Sequence, residues 1–376
     1  MNIQKYIDLA TTIRKNIDEH GARLWKGFEP VPFILYNDEF QIAIGSNWPS
    51  HYKQVAENIW VATGKDDHLF ANTCIKYHGQ IVAIWDVRSW SEDVDVALAT
   101  AHVYHEMFHA HQHNLNLGYG NFLLGMTYSH TVKSVALTIA ENELLLDILE
   151  NPEPDNVLAN LNGIANLRAA RQDELGKEYI EYDQGEETGE GTAAYVEIKM
   201  AATISDKAII EVAPDYLQAL RKTDDTLAKY RARLYTVGMV FCFACDYLKL
   251  DLQQEMAQSG STVFAWLSEK LNLPVEVVEA KELDMTLAER LVTAFNLEKE
   301  EKINAFLAQS LVEVEGEQIV FDPMNIVCHQ GRCLHMHGRF KVNGVEQQLD
   351  EPFLVEFEGN ISNIKRMFLL EKNRKN

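Results

Sequence analysis

The sequence predicts an α+β chain, with a mixed sheet near the N-terminus, a large helical region and a small antiparallel β domain at the C-terminus. Between Pro32 and Asp86, short runs of β-branched and aromatic residues are punctuated by turn residues. From Ser91 to about residue 300, apolar residues recur at helical spacing instead. From about Leu311 the alternation of strands returns. These shifts set three expected units, residues 1–90, 91–300 and 301–376, and 376 residues with 47% hydrophobic content can bury a sizeable core.

Residues 2–20 read as a polar amphipathic helix ending at His20-Gly21, where glycine can take the left-handed conformation. This start has no basic segment followed by an apolar run, so no signal peptide is expected. Strands are expected at Pro32–Tyr36, Phe40–Ile44, Asn58–Ala62, Asn72–Tyr77 and Gln80–Asp86. Ser91, followed by Glu92 and Asp93, is the expected N-cap of a helix running to about Gly118. Val132–Glu150 is a second helix, closed by Pro152 and Pro154, and Pro154–Lys177 a third helix or pair. The run from Glu186 opens another helix, and Tyr216–Tyr247 and Ser261–Leu271 continue the pattern across a polar link, Asp251–Gly260.

The charged stretch Glu298–Lys302 is the expected boundary to the C-terminal domain. Strands there are expected at Val312–Val314, Gln318–Phe321, Asn325–Cys328, Leu334–Val342 and Phe353–Phe357, with Asn343-Gly344 as a two-residue hairpin turn. Lys365, Arg366, Lys372, Arg374 and Lys375 make a solvated end.

Charge excludes some partners. With 56 acidic against 34 basic residues, the formal charge is −22, a field that repels phosphate backbones and anionic membrane surfaces. Neither nucleic acid nor a membrane is an expected partner, and no apolar run approaches the roughly eighteen residues of a membrane span. Five cysteines, an odd count, fit a reduced cytoplasmic protein.

The chemistry concentrates at His105-Glu106-Met107-Phe108-His109, an HExxH sequence. Residues four apart stack on one helical face, so both imidazoles can grip one metal ion, and Glu106 projects from nearly the same side. Val96, Ala99, Val103 and Ala110 form an apolar stripe, while His102, His105, Glu106, His109 and His113 collect on the other side. Five ionisable groups on one face are costly in a plain core. His102 and His113, one turn either side, are candidates to support the metal pair, and His111 is expected on the surface.

A reactive zinc takes three protein ligands and a water. A third histidine six residues after His109 is excluded, because Leu115 stands there and Gln112 occupies the position where a metzincin has glycine. The remaining candidates are glutamates on later helices. Glu190 lies in Glu190-Gly-Thr-Ala-Ala-Tyr-Val-Glu197, Glu187 one turn earlier is the fallback, and Glu143 lies in Asn142-Glu143-Leu-Leu-Leu-Asp147.

The first motif resembles the Glu-Gly-x-Ala-x-Tyr-x-Glu ligand segment of gluzincin aminopeptidases and related collagenase-like bacterial peptidases. The second resembles the Asn-Glu-x-x-Ser-Asp segment of thermolysin, with Leu146 in place of serine. The better match favours Glu190 as ligand, with Gly191 and Ala193 allowing close helix packing, Tyr195 a packing aromatic and Glu197 a partner for a ligand histidine. The glutamates follow His109 by 81 and 34 residues, longer gaps than in either group, so an inserted helical segment is implied. The aminopeptidases' Gly-x-Met-x-Asn motif is absent before the helix. The resemblance implies a divergent gluzincin with a zincin-like core, one catalytic Zn2+ and peptide or protein substrates, with Gln80–Asp86 as the strand that aligns them.

The expected function is therefore a zinc peptidase in which His105, His109 and Glu190 hold the metal and Glu106 is the general base. Tyr235, in Arg231-Ala-Arg233-Leu-Tyr235-Thr-Val-Gly238, is the candidate oxyanion donor, with Gly238 permitting close approach. The alternative is a non-proteolytic binding or regulatory protein on the same fold, its metal structural or lost. Cys328, His329, Cys333, His335 and His337 could hold a second metal, but reduced thiols and polar strand positions are the preferred account. Cys242 and Cys245 read as core residues.

Overall fold

A computed structural model describes residues 3–114, 121–221, 226–274, 283–314, 317–320, 325–342, 345–359 and 361–371. The expected helix end near Gly118, the Asn343-Gly344 turn and Lys372, Arg374 and Lys375 lie outside the described residues. Within them the fold is mixed α+β, with twelve α-helices, a six-stranded mixed sheet towards the N-terminus and two antiparallel sheets towards the C-terminus. Among the described residues no helix is long and apolar enough to cross a membrane.

Helix α1 (Ile3–Leu24) buries Tyr6, Leu9, Ala10, Ile13 and Ile17, a stripe at helical spacing. It runs past its expected stop. Gly21 is a packing site instead: an added Cβ would stand 3.0 Å from the Phe28 ring, and its carbonyl accepts a hydrogen bond from Tyr104 at 2.8 Å.

The sheet comprises β1 (Phe33–Tyr36), β2 (Phe40–Ile44), β3 (Lys53–Ala56), β4 (Ile59–Thr63), β5 (Thr73–Tyr77) and β6 (Gln80–Asp86), in the order β3-β4-β2-β1-β6-β5. Only β1 and β6 pair in parallel. Period-two alternation sends Phe33, Leu35, Phe40, Ile42 and Ile44 into the main helical core and Ile34, Tyr36, Ala43, Val82 and Ile84 into a second core. Strand β3 has no sequence signal because all four of its residues are exposed. The strand expected to align substrate, β6, is enclosed by β1 and β5, so the free edge on that side belongs to β5.

Helix α2 (Val96–Asn114) carries the HExxH residues. Its cap is Asp95 rather than Ser91, with Oδ1 accepting from the Ala97 amide at 2.7 Å, while Ser91 and Val94 close a preceding turn. After α3 (Phe122–Met126) come α4 (Val132–Glu150), α5 (Pro154–Leu175) and α6 (Lys177–Ser205). The new helix expected to begin at Glu186 does not exist as a separate element, because Gly185, Gly189 and Gly191 all lie inside the 29-residue α6.

Interior helical glycine costs about 1 kcal/mol relative to alanine. The crossing of α6 with α9 (Tyr230–Tyr247) explains why it is tolerated. A Cβ on Gly191 would lie 2.4 Å from the Gly238 Cα, and one on Gly238 would lie 1.9 Å from the Glu187 carbonyl oxygen. Gly238→Ala is expected to lower the unfolding free energy by about 3 kcal/mol in a denaturant titration. A loss below about 1 kcal/mol would show that the two helices part without cost and would refute the tight crossing.

Helices α7 (Ile209–Val212), α8 (Pro214–Leu220), α10 (Leu252–Ser259) and α11 (Val263–Leu271) complete the helical body. The polar link expected at Asp251–Gly260 is α10, capped by the Asp251 side chain and ended by Gly260 in the left-handed conformation. The boundary expected at residues 300/301 falls inside α12 (Met285–Leu307). Its charges are a helical face, with Lys302 bonded to Glu298 at 2.6 Å, and Ile303 and Phe306 pack against Leu334, Leu354 and Leu370.

Beyond α12, β7 (Leu311–Val314), β9 (Ile326–His329), β10 (Arg332–His335), β13 (Phe353–Phe357) and β14 (Ile364–Leu370) form one sheet, in the order β7-β14-β13-β10-β9. A second sheet holds β8 (Glu317–Val320), β11 (Gly338–Val342) and β12 (Val345–Leu349), and Phe340, Phe353, Val355 and Met367 pack together between the two. The strand expected at Leu334–Val342 is split between the sheets by a bend at Met336-His337.

Candidate metal centre

Helix α2 presents His105, Glu106 and His109 from one face, and all three are buried. Glu190, near the middle of α6, meets them. Its Oε2 lies 3.4 Å from His109 Nε2 and 3.7 Å from His105 Nε2. Among the described residues this is the one group of three or more potential ligands whose donor atoms lie within 4.8 Å of one another.

The opposite nitrogen of each ring is already held. His105 Nδ1 bonds Glu197 Oε2 at 2.7 Å, and His109 Nδ1 bonds Gln112 Oε1 at 2.7 Å. The Gln112 amide is oriented by its own donors, to the Gly189 carbonyl and to Thr192 Oγ1 at 2.7 Å. This network assigns the Nδ1 proton of His109, and leaves both Nε2 atoms to face Glu190. Tyr216 in turn donates to Glu197 Oε2 at 2.7 Å.

The electrostatics favour a cation. Glu106, Glu186, Glu190 and Glu197 gather here, and Arg231 answers two of them, reaching Glu186 Oε2 and Glu190 Oε1 at 3.1 Å each. Burial, helped by the Glu190 and Glu197 charges against the two histidines, raises the Glu106 pKa above its ordinary value. For Glu190, burial opposes ionisation, but hydrogen bonds with His105 and His109 hold its carboxyl well below the usual range. For His105, burial favours the neutral ring, and its bonds to Glu190 and Glu197 overcome that and carry its pKa well above normal. Burial, with the Glu106 charge adding to it, pushes the Cys74 thiol on β5 up to about 12. The donors present, two imidazole nitrogens and a carboxylate oxygen, could hold one metal ion.

The other expected residues separate clearly. Glu187 is not available as the third ligand, because both of its oxygens bond Arg168, at 2.6 and 2.8 Å. Glu143 is exposed on α4, outside the metal group. Tyr235 stacks near the His105 ring, with centroids 6.5 Å apart, and its hydroxyl interacts with Glu190. His102 stacks on Trp85, accepts from Trp90 Nε1 at 2.9 Å and stands 3.8 Å from Glu197 Oε1. His113 is exposed, whereas His111, expected on the surface, packs between Phe28 and Phe108.

No second metal cluster forms among the described residues. Cys328 and Cys333 are joined in a disulfide across β9 and β10, contrary to the expected reduced thiols, because antiparallel register sets them directly opposite one another. His335 is buried and stacked on Phe353, and His337 lies in the bend between the two sheets. Cys242 and Cys245 are buried free thiols within α9.

Three residues of the site went unread in the sequence. Gln112 lies three residues after His109 on the same face, a spacing that was the available signal. Arg231 stands four residues before Tyr235 in the same helix, where a single positive charge carries no signal for the site. Tyr216 comes from α8, and no local pattern ties it to Glu197. No protein-family model, curated protein or solved structure matches the chain.

Proposed function

We propose that this chain is a divergent gluzincin-like peptidase with a zincin-like core, in which His105, His109 and Glu190 hold one zinc ion. One observation carries the reading: Glu190 Oε2 lies 3.4 and 3.7 Å from the two histidine Nε2 atoms. Ligands bound tetrahedrally at about 2.0–2.1 Å stand about 3.4 Å apart, so these donors need little movement. Zinc held there would supply a Lewis acid for a peptide carbonyl and would make a water more acidic.

Glu106 then accepts the proton that the water loses and passes it to the leaving amine, a role suited to a buried carboxylate of raised pKa. Glu197 and Gln112 keep the imidazoles aimed, and Arg231 holds the Glu190 oxygen that does not face the histidines. The Tyr235 hydroxyl, beside Glu190, is the donor for the developing oxyanion. An extended substrate pairs along the free edge of β5 rather than along β6. The cytoplasm remains the proposed compartment on the strength of three free cysteines, Cys74, Cys242 and Cys245, although the Cys328–Cys333 bond argues the other way.

Metal analysis is expected to find one zinc per chain in the purified protein and none in His109→Ala. The zinc-loaded protein should cleave members of a mixed peptide library read by mass spectrometry. Absence of stoichiometric zinc, or of cleavage by the loaded protein, would sink the reading.

A further inference from the structure

A cavity of about 290 Å³ lies between the start of α9, α12 and β9, with Tyr128, Tyr230, Arg231, Phe295 and Lys299 among its walls. Its charges are unevenly answered. Arg231 is held by Glu186 and Glu190, and Lys302 by Glu298. Lys299 makes no ion pair among the described residues, and its ammonium sits 4.1 Å from the centroid of the Phe295 ring. His130 is not a second cation, since burial pushes its pKa down to about 3. Burial also brings Lys299 down to about 8, which leaves it mostly charged at neutral pH while marking a poorly solvated ammonium.

This cavity adjoins the metal centre. A second cavity of about 540 Å³ is walled by Tyr216, whose hydroxyl donates to Glu197 at 2.7 Å, and by Tyr235, whose ring stacks near His105, and it shares Ala228, Arg231 and Ile326 with the first. The larger space has Ala219, Ala228, Ala232 and Ile326 among its walls, which suit the body of a peptide. The smaller one ends at an aromatic wall with Lys299, a cation that makes no ion pair among the described residues and has only the Lys302-bound Glu298 as a nearby opposite charge.

We infer that Lys299 and the aromatic residues around it form a seat for the C-terminal carboxylate of a peptide substrate whose scissile bond lies at the metal centre. The inference rests on the peptidase reading and deepens it: it assigns short peptides with a free C-terminus as the substrate class. An ammonium held over an aromatic ring gains when a carboxylate replaces its lost water, and an aromatic or apolar terminal side chain packs against Phe295 and the tyrosines. An internal acidic side chain is the other source of such a carboxylate.

The test separates these sources and does not depend on turnover. Calorimetric titration of the full chain with N-acetyl-phenylalanine is expected to show binding at least tenfold tighter than its C-terminal amide. Lys299→Met should erase that difference and Lys299→Arg should keep it, with thermal unfolding confirming that both variants fold. In cleavage assays, amidating a peptide should raise KM at least tenfold with kcat little changed, and Lys299→Met should do the same to the free acid. Equal binding of acid and amide, no detectable binding of the acid, or tight binding of an amidated peptide through an internal glutamate would overturn the seat. Loss of all cleavage with the acid preference intact would overturn the peptidase reading instead.

Discussion

Glu106→Gln is expected to lower kcat by about 1,000-fold while leaving zinc content and KM nearly unchanged, because a positioned acid–base group contributes roughly 10²- to 10⁴-fold. The substitution keeps the shape of a buried side chain and removes only its ability to take a proton. Glu106 is not one of the converging ligands, so the metal should stay, held by His105, His109 and Glu190. Its neighbours are the two histidines, Glu190 and Glu197, and none of these is placed to replace it as base: the histidines and Glu190 are the converging ligands, and Glu197 is bonded to His105 and Tyr216. Kinetics on one cleaved library peptide, with metal analysis of the same preparation, checks this. Activity within tenfold of wild type would move the base elsewhere. Loss of zinc with loss of activity would make Glu106 a ligand.

What could be read in advance was what is periodic and local. The HExxH pair sits on the helix its spacing required, and the alternation of Phe33–Tyr36, Phe40–Ile44 and Gln80–Asp86 marked three strands within a residue of their ends. The Glu190 motif was legible through its resemblance to the gluzincin ligand segment, and Gly191 does lie against Gly238, the close helix packing that the resemblance implies. The same glycine content misled the helix boundary. The run from Glu186 reads locally as the start of a new helix, but α6 runs through Gly185, Gly189 and Gly191, with Gly191 packed against Gly238 of α9. Pairings between distant segments left no local trace. Neither the Tyr216–Glu197 bond nor the enclosure of β6 between β1 and β5 can be seen in any window of adjacent residues. Cys328 and Cys333 gave a metal-like spacing whose outcome depended on strand register.

The least legible feature is also the one whose loss should cost most in stability. Arg168, Arg171 and Arg233, from α5 and α9, are fully buried around Glu141 of α4 and Asp183 and Glu187 of α6. Glu141 is the hub, accepting from Arg168 and Arg171 at 2.6 Å and from Arg233 at 2.8 Å. Burial alone would raise its pKa, and the three guanidinium groups reverse that and hold it far below the usual carboxylate range. On α6, Glu187 turns towards this cluster and Glu190, three residues on, towards the metal centre, so the arginines fix the rotation of the helix that delivers the ligand. Glu141→Gln keeps the shape but leaves three buried cations facing two carboxylates. Removing one partner of such a network costs about 3–5 kcal/mol, against about 0–1 kcal/mol for an exposed pair. Denaturant unfolding of Glu141→Gln is therefore expected to show a loss of about 3–5 kcal/mol, with an exposed pair such as Lys270–Glu255 changing stability by less than about 1 kcal/mol when broken. Zinc affinity should fall with it, since a helix free to rotate presents Glu190 less well. A Glu141→Gln protein as stable as wild type would mean that water or rearranged side chains compensate the arginines, and α6 would then have to be held by its crossing with α9 alone.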